Sequence, residues 1–136
     1  MLFDSKIVVA LRLDLDAWQK LNVAAFLASA VAGKEPALIG QPYADGSGVP
    51  YLAMFRQPVL VLSGSAAELK QAHQRALARN LRVAVYVRAM FETGHDEANR
   101  AAVKAVRSAD LDIVGLGLHE DRKVADKVTK GLVLHP

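Results

Sequence analysis

Short, nearly continuous apolar runs recur along the chain, separated by stretches with helical periodicity. The run over 6–13 has few polar interruptions, which is typical of a strand buried on both faces. In the segment 81–89, valines alternate with polar residues such as Arg82 and Tyr86, which predicts a sheet face more exposed to water. The pattern predicts four main strands over 6–13, 58–62, 81–89 and 112–118, and a short last strand over 132–135.

Helix signals lie between these strands. Asp16 and Gln19 form a capping-box pattern, and the helix that they open is expected to run to about Ala32, where Gly33 stops it. Further helices are predicted over 66–80, 96–108 and 124–128. Alternating strands and helices predict an α/β fold, a three-layer sandwich around a mainly parallel or mixed sheet.

The segment 34–56 is the most irregular part of the chain, because prolines and glycines interrupt it repeatedly. The stretch 44–48 has the composition of a turn. Its flanks, 37–39 and 51–55, are expected to pair as a small hairpin inserted between the first helix and the second strand.

Composition changes this picture little. A length of 136 residues predicts one domain, 1–136, with enough chain to bury a core. The sequence has no cysteine, which favours a reducing, cytoplasmic location. No apolar run approaches the roughly 20 residues that cross a membrane, so no membrane association is expected.

The positive charge is concentrated in the segment 63–90, which carries five basic residues against Glu68. A basic face can attract RNA through its phosphates. A solvated surface that only keeps the protein in solution is the favoured interpretation, and any RNA binding is expected to be weak.

The segment 91–100, FETGHDEANR, combines a helix start with several chemically active side chains. Asp96 and Arg100 are spaced as an ion pair on an outer face. His95 and Asn99 are predicted to turn inward among alanines, where each needs a hydrogen-bond partner. A metal site is not expected because no third ligand accompanies them, and no motif for a cofactor is present.

Asn22 is the polar exception near the start of an apolar first helix, and Ser29 lies two turns further along. If the first and third strands are parallel, Asn22, His95 and Asn99 rise from the same edge of the sheet. They would then line a shared pocket for a small polar or anionic ligand. The alternative is that each one only caps its own helix.

The other histidines give weaker signals. His73 projects onto the apolar stripe of its helix and is predicted to be a core or interface residue. His119 and His135 lie at strand ends without an evident partner.

The two ends of the chain resemble the type-2 peptidyl-tRNA hydrolases. Residues 6–15, KIVVALRLDL, are similar to the family's opening K-x-V-x-x-x-R-x-D-L strand, and residues 125–134, ADKVTKGLVL, to its I-D-K-V-T-G-x-L-x-L close. The chain resembles most closely an uncharacterised bacterial branch of that superfamily. The resemblance implies a four-stranded mixed sheet with helices on both faces.

The resemblance also places the family's functional positions on this chain. Where the hydrolases carry Lys, Gln and His on the first helix, this sequence has Asn22, Phe26 and Ser29, and Glu92 stands nearest to the family's Asp. Asn, Phe and Ser cannot replace those groups in acid–base chemistry. The expected function is therefore a diverged hydrolase-like enzyme or a small-ligand binder, with a non-catalytic RNA-binding relative or a structural homodimer as alternatives.

Overall fold

The computed structural model describes residues 3–136. Its strands are β1 (Ser5–Arg12), β2 (Tyr43–Ala44), β3 (Pro50–Tyr51), β4 (Val59–Gly64), β5 (Ala84–Val87), β6 (Ile113–Asp121) and β7 (Val133–Leu134). Its α-helices are α1 (Ala17–Lys34), α2 (Ala66–Ala78), α3 (Asp96–Lys104) and α4 (Arg122–Val128). Short 3₁₀ helices cover Pro36–Leu38, Arg88–Glu92 and Ser108–Asp110.

The main sheet is mixed and has the strand order β5-β6-β1-β4-β7. β1 and β4 are parallel, whereas β6 runs antiparallel to both β1 and β5. β1 and β5 are therefore parallel to each other, and their carboxyl ends lie at the same edge. The prediction of a four-stranded sheet is wrong in its count, because the short last strand β7 also pairs with β4.

Helices cover both faces of the sheet, which confirms the α/β class. Successive side chains of β1 point to opposite faces. Val9 packs with Val23 and Leu27 of α1, whereas Val8 packs with Ala76 of α2 and Ala125 of α4. The sheet thus contributes to a separate apolar core on each side.

Glycine in β6 allows α1 to lie close to the sheet. A Cβ added at Gly115 would come within 2.5 Å of Val23 Cγ1 and 2.9 Å of Leu27 Cδ1. At Gly117, an added Cβ would lie 3.0 Å from Leu27 Cβ. The absence of a side chain at these two positions therefore allows the close packing.

α1 continues past Gly33, so the predicted stop at that glycine is wrong. The helix ends instead at Glu35, whose backbone has left the helical region at φ −131° and ψ 79°. Proline disfavours helical geometry in the residue before it, and Pro36 follows Glu35 directly. The proline therefore sets the end of the helix.

The third predicted strand is shorter than expected and is covered on both faces. β5 spans Ala84–Val87, with a register shift between Tyr86 and Val87, and the chain then forms the 3₁₀ helix Arg88–Glu92. Tyr86 is only 3% exposed because it packs into the core beneath α1. The prediction of a water-exposed face at Tyr86 is therefore wrong.

The inserted hairpin is present. Tyr43 pairs with Tyr51, and an isolated bridge joins Ile39 to Phe55 at its base, as the predicted flanks required. In the turn, the carboxylate of Asp45 accepts hydrogen bonds from the backbone N–H groups of Ser47 and Val49. The predicted turn over 44–48 is confirmed.

A buried arginine fixes the carboxyl edge of the sheet. Arg12, which is 8% exposed, donates to both carboxylate oxygens of Asp14, at 3.0 and 2.7 Å, and to Asp112 Oδ1 at 2.6 Å. Arg88 also contacts Asp112, at 3.2 Å. The hydrogen bond from Arg12 lowers the pKa of Asp14, so both charges persist at neutral pH. The network links the ends of β1 and β5 to the start of β6.

The two carboxylates are expected to matter more to stability than Arg88, because they neutralise the buried Arg12. Replacing both Asp14 and Asp112 with Ala leaves Arg12 buried without a counter-charge, which should cost about 3 kcal/mol of the free energy of unfolding. Arg88→Ala is the control, because its half-exposed pairs should contribute less than about 1 kcal/mol. Urea denaturation measures both variants. Equal losses in the two variants would contradict this account of the network.

Candidate functional site

A cavity of about 300 Å³ lies where α1 meets the segment that follows β5. Its walls include Asn22 from α1 and His95 and Asn99 from the start of α3. The structure thus brings the three predicted residues into one crevice. The cause is the antiparallel β6, which holds β1 and β5 parallel and sends both following segments to the same edge.

Aromatic rings form much of the cavity wall. Tyr86 stands at the centre, with ring centroids 5.6 Å from Phe26 and 5.1 Å from Phe91. Trp18 meets Phe91 edge-on at 5.9 Å. Trp18 and Phe26 remain 59% and 47% exposed, although such large rings usually bury most of their area. Two aromatic surfaces are therefore open to a ligand.

Asn22 brings an amide to this aromatic wall. Its Nδ2 donates to the hydroxyl oxygen of Tyr86 at 3.4 Å, which is long for a hydrogen bond. Burial raises the pKa of Tyr86, so its hydroxyl is neutral at physiological pH and can donate. The Asn22 amide therefore has hydrogen-bonding capacity left for a better-placed partner.

Asn99 is half-buried and contacts the side chain of Thr93, whose Oγ1 also lies 2.9 Å from the carbonyl oxygen of Met90. The single hydrogen of the Thr93 hydroxyl faces two acceptors, the Met90 carbonyl and Asn99 Oδ1. This arrangement braces the loop before α3. Because Oδ1 faces Thr93, the amide nitrogen of Asn99 is the group left to the cavity.

His95 caps α3 rather than turning inward. Its Nδ1 accepts the backbone N–H of Ala98 at 3.2 Å, and the side chain is otherwise exposed. The prediction of an inward-facing His95 is wrong, whereas the prediction of a cap near this residue is confirmed. Because Nδ1 accepts, the ring hydrogen of the neutral form is on Nε2. The ring contributes a donor to the cavity rim.

Ser29 and Glu92 do not belong to the cavity wall. Ser29 is exposed and donates to the carbonyl of Phe26 at 2.6 Å, within its own helix. Glu92 is exposed at the end of the 3₁₀ helix Arg88–Glu92. Of the four positions that the family resemblance singles out, only Asn22 and Phe26 reach the cavity.

The first turn of α3 carries negative charge. Asp96 lines the cavity and forms the predicted ion pair with Arg100. Asp96 and Glu97 both occupy the first turn, where they offset the positive end of the helix dipole. The two carboxylates therefore weaken the attraction for an anion that the sequence predicts at this helix start.

Sequence reasoning missed most of the aromatic wall. Trp18, Asn22 and Phe26 follow each other at intervals of four residues, a spacing that places them on one helical stripe. That spacing is the sequence signal that indicates the part of the wall contributed by α1. Tyr86 could not have been found in this way, because its burial depends on α1 packing across β5.

Residues 3–136 meet the requirements of neither a metal site with three ligands nor a membrane-spanning helix. Among these residues no group of three or more potential ligands is placed to hold a metal ion. None of the helices in the described part of the chain is long and apolar enough to cross a membrane.

Residues 5–136 match a family described as a protein of unknown function (DUF2000), and the chain belongs to that family. Among solved structures, the chain is similar to the protein of unknown function Atu0240 from Agrobacterium tumefaciens strain C58. The two are 44% identical, with a TM-score of 0.97 over 99% of this chain and 100% of the other. None of the curated proteins matches this chain.

Substitution at His95 tests its role as the cap of α3. His95→Ala should lower the free energy of unfolding by about 1 kcal/mol, because the helix loses its cap. His95→Asn should recover most of that loss, since asparagine accepts the same N–H. Thermal and urea unfolding measure the difference. An Asn variant as unstable as the Ala variant would show that the ring stabilises the structure in another way.

Proposed function

We propose that this protein binds a small, neutral, planar molecule with hydrogen-bonding edges, such as a nucleobase or nucleoside, in the cavity between α1 and α3. The observation that carries the proposal is the pairing of open aromatic surfaces, Trp18 and Phe26, with the amide of Asn22. A ring can stack on the aromatic side chains while the amide hydrogen bonds to its edge. Stacking of a base on one aromatic side chain contributes roughly 1–3 kcal/mol.

The size of the cavity favours one small ligand. A volume of about 300 Å³ lies at the lower end of the range for small-molecule sites. The wall combines aromatic rings with several polar side chains, including Asn22, Asn99 and Asp96. Asparagine amides also match the donor and acceptor on one edge of adenine. A purine is therefore the first ligand to test.

Hydrolysis in the manner of the peptidyl-tRNA hydrolases has less support. The three helix positions hold Asn22, Phe26 and Ser29, and none of these is an acid or base at neutral pH. Glu92 does not line the cavity. Membership of that superfamily remains a proposal that rests on the sequence motifs at the two ends of the chain.

RNA binding through the segment 63–90 is also a weaker alternative. Two of its arginines serve separate structural tasks: Arg75 donates to the carbonyl of Lys130 at 2.7 Å, and Arg88 joins the Asp112 network. A phosphate-binding face needs such groups free and adjacent. Any RNA binding by this segment is expected to be weak and to fall steeply as salt is raised.

A homodimer remains the expected assembly. Leu52 and Met54 on the hairpin are 88% and 57% exposed, and Val133 and Leu134 leave the edge strand β7 apolar. Exposed apolar groups of this kind are common at protein–protein contacts. This feature concerns assembly and does not compete with a ligand in the cavity.

Fluorescence can test ligand binding directly, because Trp18 is the single tryptophan and lines the cavity. Titration with adenosine, guanosine, cytidine and uridine should give saturable changes in emission, strongest for a purine. Asn22→Ala should weaken the binding of the best nucleoside about tenfold, the equivalent of about 1.4 kcal/mol. Comparing adenosine with its monophosphate tests whether negative charge is tolerated, and weaker binding of the monophosphate is expected.

Leu21→Ala provides the matched control. Leu21 is adjacent on α1 but 73% exposed and does not line the cavity, so its variant should bind like the original protein. Emission that does not change with any nucleoside at millimolar concentration would refute the proposal. Equal affinity in the Asn22→Ala variant would also refute it.

A further inference from the structure

A second and larger cavity, of about 460 Å³, lies at the opposite end of α1. Its wall is formed by the end of that helix, the start of β5 and the later part of β6. His119 from β6 lines it, together with Lys34 and Glu35. This cavity shares no lining residue with the aromatic one.

Ser5 joins two residues that line this cavity, His119 and Glu35, in a continuous hydrogen-bonded series. His119 Nε2 lies 2.8 Å from Ser5 Oγ, and its Nδ1 lies 2.8 Å from Glu35 Oε2. Ser5 precedes Ile7 by two residues in β1, and Ile7 pairs with His119, so Ser5 and His119 occupy the same face of the sheet. Glu35 reaches the ring from the end of α1, where Pro36 stops the helix.

The surrounding bonds favour one distribution of protons. Gln57, which is buried, donates from Nε2 to the Ser5 carbonyl at 3.1 Å and towards Ser5 Oγ at 3.4 Å. The Glu35 carboxylate accepts from a hydrogen on Nδ1, so in the neutral ring Nε2 carries no hydrogen and accepts from the serine hydroxyl. His119 therefore presents its basic nitrogen to the serine. This tautomer is the one that a general base requires.

The same geometry defines activated serine nucleophiles on unrelated folds: a hydroxyl within hydrogen-bond reach of an imidazole, which a carboxylate orients. Ser5 is half-buried, and its hydroxyl lies within one hydrogen bond of a cavity-lining ring. Val31 and Val83 provide an apolar part of a cavity wall that also carries the charged side chains of Lys34 and Arg82. A small apolar acyl group fits this environment.

We propose that Ser5, His119 and Glu35 form a hydrolytic site for carboxylic esters with a small apolar acyl group. Ser5 Oγ attacks the carbonyl carbon while His119 Nε2 takes its proton, and the ester C–O bond breaks as that proton passes to the departing alcohol. Water then attacks the acyl-serine, His119 takes a proton from it, and the proton returns to Ser5 Oγ as the acid leaves. Glu35 is a positioning residue that holds the ring.

An alkyl fluorophosphonate tests the nucleophile in the intact chain. Its phosphorus should bond to Ser5 Oγ with loss of fluoride, and peptide mapping by mass spectrometry should locate the adduct on Ser5. His119→Gln should slow labelling about 100-fold or more, because the general base is lost. Glu35→Gln should lower the maximum labelling rate without raising the half-saturating probe concentration, a separation that a merely structural role would not produce. Hydrolysis of p-nitrophenyl butyrate should follow the same order.

Ser29→Ala is the matched control, since Ser29 is exposed and bonds only within its helix, so labelling should be unchanged. Circular dichroism should show that each variant keeps its fold. The absence of an adduct on Ser5, under conditions that label a known serine esterase, would overturn the proposal. Labelling of Ser5 at an equal rate in the His119→Gln variant would overturn it too. Either result leaves nucleoside binding in the other cavity unaffected.

Discussion

The ionic hydrogen bonds of Arg12 constrain the end of the molecule on which the ligand site depends. A buried guanidinium is costly unless its donors are satisfied, and here two carboxylates satisfy them. Asp14 belongs to the connection from β1 to α1, and Asp112 precedes β6. Arg88 extends the network to the segment after β5. These ion pairs therefore connect, at the edge of the sheet, the elements that surround the aromatic cavity.

The direction of β6 determines the edge of the sheet at which these elements meet. Because β6 is antiparallel to both of its neighbours, the segments that leave β1 and β5 emerge at one edge, and Asn22 and Asn99 reach the same cavity. Glycine at Gly115 lets α1 approach the sheet closely, which buries Tyr86 beneath it. At the other end of α1, the same close approach brings Glu35 to His119. One helix thus contributes to both cavities.

Local patterns in the sequence predicted the elements and the meeting of Asn22, His95 and Asn99, because strand runs, caps and turns depend on neighbouring residues. Features that depend on distant packing were missed. The alternation of valines with polar residues predicts an exposed Tyr86, whereas α1 covers that face of the sheet. Gly33 was expected to end α1, but the restraint from Pro36 determines the end. His119 offered no signal in sequence, since Ser5 and Glu35 are 114 and 84 residues away from it and meet it only in the folded sheet.

The central claim is that the amides of Asn22 and Asn99 and the nearby aromatic rings receive one planar ligand. The chain has three asparagines, and Asn80, beyond the end of α2, lies outside the cavity and is an internal reference. The most direct measurement is the ¹H–¹⁵N spectrum of the asparagine side-chain amides during titration with adenosine, with assignments from single Asn→Ala variants. The account predicts that the signals of Asn22 and Asn99 shift together along one saturation curve while Asn80 stays fixed. Unchanged signals from Asn22 and Asn99, at concentrations where adenosine alters Trp18 emission, would contradict it.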